Sequence, residues 1–592
     1  MAGGGGDGRN TAPYATAIGL AYVFNLIVGT GALALPKAFQ ESGFVLAFML
    51  LTVSCFVSYV NATFVIECLS AANAIIMSQR MSRVKRLAVE RSGRHSPESI
   101  SQLSPITTYT PDNSDETPLL QRSTSTLNLH AKAEYYEISK RAELSEIATL
   151  VLNRVGVFVV FLMLSLYLFG DLAIYSVVVP KSMMSLICSS NASCLNSSLV
   201  VRSTAPCNAH WPLFFSRINV YRLMVCLFTL VAGPFVFVGM TKTKYLQMVT
   251  ILTRWAAFIF MIVFAVKILL NGEGKGRPPA FRVSGFSHLF GITVYAFMCH
   301  HSLPAVITPM RRKARIYPLL GVVYVLIMLF YSTLSMTGSF AFAAVQDVYT
   351  LNFFNSCNIS PPDIFTLTVD YFLALFPVFT ISMNFPIVGV TLSNNLRSML
   401  LAPVKLPPTL IGALKRTRSL PSLSSEHLDD EQAALSPNAA QASASENANE
   451  SAVAPRGASE RVVVDGVDYA PIEQHVPPAD AQTALRRCRF RRQLISRVLI
   501  PASVVLVPVA VALTTDDVEA LASAVGAYAG VGVQFIIPSM LVLAARRRCA
   551  RWLTVPMPPK HASPFAHCVW PIGVFAWALL TVTVVTVNYV LY

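Results

Sequence analysis

The sequence predicts an all-α polytopic membrane protein with eleven transmembrane helices, arranged as a five-plus-five inverted repeat whose first and sixth helices are broken. Three observations carry this expectation. The 592-residue chain is 54% hydrophobic and only 13% charged, with a mean hydropathy of +0.54, too little charge to cover a soluble protein of this size. Apolar runs of about 20 residues or more recur along it, the length that crosses a hydrocarbon core of about 30 Å. The first and sixth of these runs are interrupted midway by polar residues, Gly or Pro, and interrupted segments at corresponding places in two halves mark inverted-repeat transporters.

In order, the runs are 14–40, 43–70, 155–187, 219–240, 247–270, 286–309, 317–342, 364–393, 494–514, 519–545 and 567–591. The N-terminal stretch 1–13 is short, polar and Gly-rich, so the first run is expected to be a retained span and not a cleaved signal. A short acidic linker with Asp516 and Asp517 separates the ninth and tenth runs. The expected organisation is a cytosolic N-terminus at 1–13, two spans over 14–70 and a cytosolic loop at 71–154. Spans three to eight follow over 155–393, then a second cytosolic loop at 394–493 and spans nine to eleven over 494–592.

Orientation follows from where the formal charge of +15 lies. Arg80, Arg83, Lys85 and Arg86, Lys242 and Lys244, Arg311, Arg312, Lys313 and Arg315, Arg486 to Arg492, and Arg546 to Arg548 all fall on one set of alternate connections, whereas 343–363 and 515–518 have no Lys or Arg. By the positive-inside rule the N-terminus is cytosolic and Tyr592 lies on the opposite side. Beside spans, these runs read as topology determinants and anionic-lipid contacts; no nucleic-acid motif accompanies them, so nucleic acid is not expected as a partner.

Of the eleven cysteines, Cys188, Cys194, Cys207 and Cys357 fall in the two longer non-cytosolic loops, where disulfides persist. The sequons at Asn191, Asn196 and Asn358 share those loops and are the glycosylation candidates. Which cysteines pair is open at this stage. The remaining cysteines lack metal-ligand spacing.

Residues 78–143 and 415–485 are polar and without helical or strand periodicity, so both are expected to be disordered. An exception is 134–150, whose spacing predicts a helix along the membrane surface. The first loop carries D-E-T-P-L-L, with Asp115, Leu119 and Leu120 in the arrangement of an acidic dileucine signal read by clathrin adaptors. It points to an endosomal or lysosomal membrane, with the plasma membrane as the alternative.

The first run contains F-N-L-I-V-G-T-G-A-L-A-L-P-K-A-F, residues 24–39. Gly29 and Gly31 weaken a helix and Pro36 cannot donate to its ladder. Unwound backbone at membrane depth must be buried in protein or line a cavity, where helix-end N–H groups can face an anionic substrate group and freed carbonyls a cation or ammonium. The competing reading of the glycines is close helix packing. In the sixth run, Cys299, His300, His301, Ser302 and Pro304 interrupt the apolar pattern.

The motif Asn25-x-x-x-Gly29-x-Gly31-x-Leu33-x-Leu35-Pro36-x-Ala38-Phe39 resembles the first-span signature of the amino acid/auxin permease family, part of the amino acid–polyamine–cation superfamily. The resemblance runs through essentially all the spans. It implies a LeuT-like core of spans one to ten, with an amino acid held between broken helices one and six. It also implies that Gly29, Thr30, Gly31 and Ala32 contact a substrate carboxylate through backbone N–H groups and that Asn25 contacts substrate or ion. The backbone around Cys299 and His300 would then face the amine end. Thr380, Ser382 and Asn384 stand where sodium-coupled relatives place oxygen ligands; packing or back-bonding to carbonyls is the alternative.

Asp171 falls in mid span three and is a candidate to carry a coupling proton or to pair with a nearby cation; Glu67 lies towards the cytosolic end of span two and can reach water. His300 and His301 can titrate in an acidic range. Proton and sodium coupling both stay open. No H-E-x-x-H or phosphate-loop motif is present, and adjacent histidines on a helix point in different directions. Enzymatic activity, a cofactor and a metal site are therefore not expected. The expected activity is alternating-access transport of small neutral amino acids; the rival is an amino acid sensor or scaffold with a transporter fold.

Overall fold

The computed structural model describes residues 14–92, 134–188, 206–208, 211, 215–238, 244–313, 315–354, 364–400, 463–464, 467–468, 490–491, 493–553 and 557–591. The chain divides into one unit of Met1–Leu401 with Gln493–Tyr592 and a second of Ala402–Arg492. In the second, Val463–Val464 pairs antiparallel with Val467–Asp468. The dileucine residues Asp115, Leu119 and Leu120, the sequons Asn191, Asn196 and Asn358, and Cys194 and Cys357 lie outside the described residues.

The first unit is helical. Its helices are α1 (Thr16–Ile27), α2 (Gly31–Ser42), α3 (Phe44–Ser92), α4 (Leu144–Val151), α5 (Arg154–Ile187), α6 (Arg217–Val238), α7 (Lys244–Leu270), α8 (Phe286–Ala296), α9 (Leu303–Ile307), α10 (Ile316–Ala341), α11 (Leu351–Phe354), α12 (Ile364–Leu400), α13 (Ile495–Thr514), α14 (Val518–Trp552) and α15 (Val569–Leu591). Among the described residues, nine helices are long and apolar enough to cross a membrane, and α1 with α2, bent by 53°, makes a tenth candidate. The expected sixth span, 286–309, is two short helices, α8 and α9, and neither is long enough alone.

The polarity pattern is that of a protein dissolved in hydrocarbon. Leu230 and Val231 of α6, Ile259 and Val263 of α7, Leu326 and Leu329 of α10, and Leu580 and Val587 of α15 are exposed. Asn61, Glu67, Asp171, His300 and Gln534 are buried. Polar groups gather between helices because lipid tails offer them no hydrogen bonds.

Ion pairs fasten the two ends of the bundle. At one end, a disulfide joins Cys188 to Cys207. Nearby, Lys181 of α5 pairs with Asp347 at 2.6 Å and donates to the Asp516 carbonyl, while Lys37 of α2 pairs with Glu519 of α14 at 2.8 Å. At the other end, Arg546 of α14 grips Glu67 of α3 with two nitrogens at 2.7 and 2.8 Å, and the Ser563 N–H adds a third bond to the same carboxylate. Glu67, expected to reach water, is instead a buried clamp between α3 and α14, and removing one partner of such a pair leaves an uncompensated charge.

The surface helix expected over 134–150 is not continuous. A 3-10 turn at Glu134–Tyr136 leads through extended backbone to α4, which opens with a Glu143–Glu146 capping box. Tyr136, Ile138, Leu144, Ile147 and Ala148 are buried, and Asn73 of α3 bonds to the backbone of Ser139 and Lys140. Its apolar residues face the bundle because α3 and α14 give them a protein surface to cover.

Candidate functional site

The helical ladder of the first segment stops between Ile27 and Gly31. Val28 N–H still reaches the Phe24 carbonyl at 2.9 Å, and Ala32 and Leu33 bond back to the carbonyls of Gly29 and Thr30. Among the described residues no hydrogen bond is made by the N–H groups of Gly29, Thr30 or Gly31. These donors sit at the N-terminus of α2, where the helix dipole is positive.

Three carbonyls on the α1 side, those of Asn25, Ile27 and Val28, are occupied by side chains from other helices. Arg254 of α7 donates from Nη1 to the Asn25 carbonyl at 2.7 Å, the Val28 carbonyl at 2.8 Å and Asn25 Oδ1 at 3.3 Å. The Tyr331 hydroxyl of α10 is shared between the Ile27 carbonyl at 3.1 Å and the Ala296 carbonyl at 3.0 Å, the last residues of α1 and α8. One tyrosine thus serves both breaks.

The two glycines differ. A Cβ at Gly29 would meet nothing closer than the Ile27 carbonyl at 3.9 Å. A Cβ at Gly31 would lie 2.7 Å from the Ala296 Cα, so Gly31 exists to let α2 touch α8. Neither has a left-handed backbone.

A cavity opens at this break. Asn25, Gly29, Thr30 and Gly31 line it, with Asp171 and Tyr175 of α5, Arg254 of α7 and Tyr295 of α8. Met298, His301 and Ser302 line it from the second break, and Thr380 and Asn384 from α12. Tyr295 donates to Asp171 Oδ1 at 2.6 Å and lies 2.8 Å from Thr30 Oγ1. An ionised carboxylate only accepts, so the chain runs from Thr30 through Tyr295 to Asp171 and ties α2, α8 and α5 together. Among the described ion pairs, neither Asp171 nor Arg254 has a partner of opposite charge.

The expected site residues separate into two groups. Asn25, Gly29, Thr30, Gly31, Asp171, Thr380 and Asn384 are brought together around the cavity. Ala32, Cys299, His300 and Ser382 are not among its lining residues. At the second break Phe297 N–H bonds to Thr293, Met298 to Tyr295, and Ser302 and Leu303 to Cys299, while among the described residues no hydrogen bond is made by the N–H groups of Cys299, His300 and His301. Cys299 Sγ lies 3.3 Å from the Tyr324 hydroxyl, and His300 Nε2 lies 3.0 Å from the Ser58 carbonyl of α3. His301 takes the inward position, its ring 5.5 Å from that of Tyr167 and its Nδ1 without a partner among the described residues. Thr380 donates to the Phe376 carbonyl at 2.8 Å, the back-bonding alternative.

Arg254, Tyr295, Tyr331 and His301 are absent from the expected contact set. For Arg254 a signal existed, since a cation inside the run 247–270 is a functional candidate by default. Tyr331 is one of twenty tyrosines and nothing local marks it.

The family model described as "Transmembrane amino acid transporter protein" matches residues 123–586. That match begins after the first break, which full-length relatives cover. The chain is 38% identical to "Transmembrane protein 104 homolog" of Caenorhabditis elegans, over 99% of this chain and 98% of the relative. It is 35% identical to "Transmembrane protein 104" of Homo sapiens, over 98% and 97%. With "Transmembrane protein 104 homolog" of Drosophila melanogaster the figures are 32%, 98% and 98%.

Proposed function

The chain belongs to the transmembrane amino acid transporter protein family, and from that premise we propose that it is a secondary active carrier of small neutral amino acids working by alternating access. The observation that carries this is the set of N–H groups at Gly29, Thr30 and Gly31, without a hydrogen bond among the described residues and all three beside a cavity. A substrate carboxylate seats on them, as anions do at helix N-termini. The rest of the substrate extends towards Met298, His301 and Ser302. Asp171 carries the coupling proton, and its bond to Tyr295 and on to Thr30 links its protonation to the break.

The proposal includes eleven spans in a LeuT-like five-plus-five repeat, α1 with α2 as the first span and α8 with α9 as the sixth. The N-terminus is cytosolic and the membrane endolysosomal, reached through clathrin adaptors at Asp115, Leu119 and Leu120. The disulfide end then faces the lumen, glycosylated at Asn191, Asn196 and Asn358. The pairs Lys37–Glu519 and Lys181–Asp347 form a gate that parts when the cavity opens on that side.

The test is uptake of a mixed set of labelled amino acids into proteoliposomes, with and without an imposed proton gradient. Gradient-driven uptake of a neutral amino acid is expected. The second reading, a sensor, draws on the docking of Tyr136 to Val151 against α3, α5 and α14, which couples the end of a long loop to the bundle. Amino acid-dependent thermal stabilisation without uptake would favour it.

A further inference from the structure

A broken helix in a membrane leaves carbonyl oxygens at the negative end of its first half, and those oxygens bind a cation. Here the end of α1 presents the Asn25 and Val28 carbonyls and Asn25 Oδ1. All three accept from a single nitrogen of Arg254, at 2.7, 2.8 and 3.3 Å. A guanidinium keeps its charge at any accessible pH, so the positive charge at this position is permanent and covalently attached to α7. An inorganic cation placed on the same oxygens would lose its ligands to the guanidinium and be repelled by it.

Opposite, the expected oxygen ligands are not assembled as a set, although Asn384 lines the cavity. Thr380 directs its hydroxyl to the Phe376 carbonyl, and Ser382 is not part of the cavity lining. Among the described ion pairs none neutralises Arg254, so no carboxylate of the described residues competes with the helix carbonyls for it.

We infer that Arg254 is a built-in substitute for a coupling sodium ion: it fills the cation position of the first break, and ligand binding at that break is independent of sodium. The inference rests on the reading of this break as the substrate site, and it leaves the Asp171 proton as the coupling charge.

The test is the melting temperature of the purified full chain in sodium, potassium and choline chloride at equal ionic strength, without amino acid. Wild type is expected to melt identically in all three. Arg254→Thr vacates the carbonyls and is expected to melt lower in choline, with a saturable rise on titrating sodium. Arg254→Lys keeps a charge on the same stem and is expected to stay indifferent to sodium. Saturable stabilisation of wild type by sodium over potassium and choline would overturn the inference, and so would a folded Arg254→Thr protein with no sodium response. Should Arg254→Thr fail to fold, the wild-type and Arg254→Lys titrations decide it. Absence of amino acid uptake in every salt, with sodium-indifferent melting, would count against the carrier reading and leave the assignment of Arg254 standing.

Discussion

At the first break the carbonyls of Asn25, Ile27 and Val28 are taken by Arg254 and Tyr331, and the N–H groups of Gly29, Thr30 and Gly31 are left facing a cavity. At the second break the N–H groups of Phe297, Met298, Ser302 and Leu303 bond to nearby carbonyls, those of Cys299, His300 and His301 make no described hydrogen bond, and the side chains of Cys299 and His300 turn into the packing against α10 and α3. Both interruptions answer the same demand, that backbone polar groups be satisfied within a membrane protein. They differ in which residues reach the cavity and in the charged group, Arg254, that serves the carbonyls of the first. At the first, Arg254 of α7 and Tyr331 of α10 serve carbonyls on one side, and on the other Gly29, Thr30 and Gly31, whose N–H groups make no described hydrogen bond, all line the cavity. At the second, Tyr331 serves the Ala296 carbonyl, and of Cys299, His300 and His301 only His301 lines the cavity.

Substitutions at the point where the breaks touch should have the largest effect. Gly31→Leu has no room against Ala296 and is expected to destabilise the fold by about 3 kcal/mol, seen as a large fall in melting temperature. It therefore reports on packing and is unsuited as a binding-site control. An unchanged melting temperature would break the claim that the halves meet there.

Asp171→Asn is expected to come next. It preserves size but removes the carboxylate that holds Tyr295 and Thr30 in line. Gradient-driven uptake should fall at least about tenfold, equivalent to about 1.4 kcal/mol, while exchange between equal amino acid pools persists. Undiminished gradient-driven uptake would remove Asp171 from the coupling role.

Tyr331→Phe should cost about 1 kcal/mol, the scale of a hydrogen bond between membrane helices, because one hydroxyl serves the ends of α1 and α8. A loss confined to stability, with ligand affinity intact, would show that the tyrosine holds the breaks and does not touch substrate.

The smallest effects should separate the two histidines. His300→Gln is expected to lower the melting temperature slightly and leave uptake unchanged, since His300 faces Ser58. His301→Gln is expected to raise the substrate KM severalfold with little change in melting, since His301 lines the cavity. The opposite pattern would exchange the roles given to them.

The helical architecture was legible in the sequence because apolar length is a direct demand of the bilayer, and the break at Gly29 and Gly31 because helix-weakening residues inside such a run need a reason. The glycine pair was less legible: Gly29 borders open space and Gly31 fills a helix contact, a distinction set by Ala296 from a distant segment. Similarly, nothing near His300 and His301 says which faces inward, because the turn geometry between α8 and α9 decides it. Arg254 carried a readable signal, a cation inside an apolar run, but its partners on α1 appear only once α7 is packed there. Segment 134–150 has helical spacing on paper, yet Asn73 and the surfaces of α3 and α14 draw its first half into a turn and extended backbone.

The most direct test of the central claim uses Gly29, where a Cβ has room and the position lines the cavity. Uptake of the transported amino acid into proteoliposomes is measured for wild type and Gly29→Leu beside their melting temperatures. A melting temperature near that of wild type with uptake abolished is the predicted result, since a Cβ at Gly29 has room and the position borders the cavity. Normal uptake by a folded Gly29→Leu protein would contradict the account, because the first break could then not be where substrate binds.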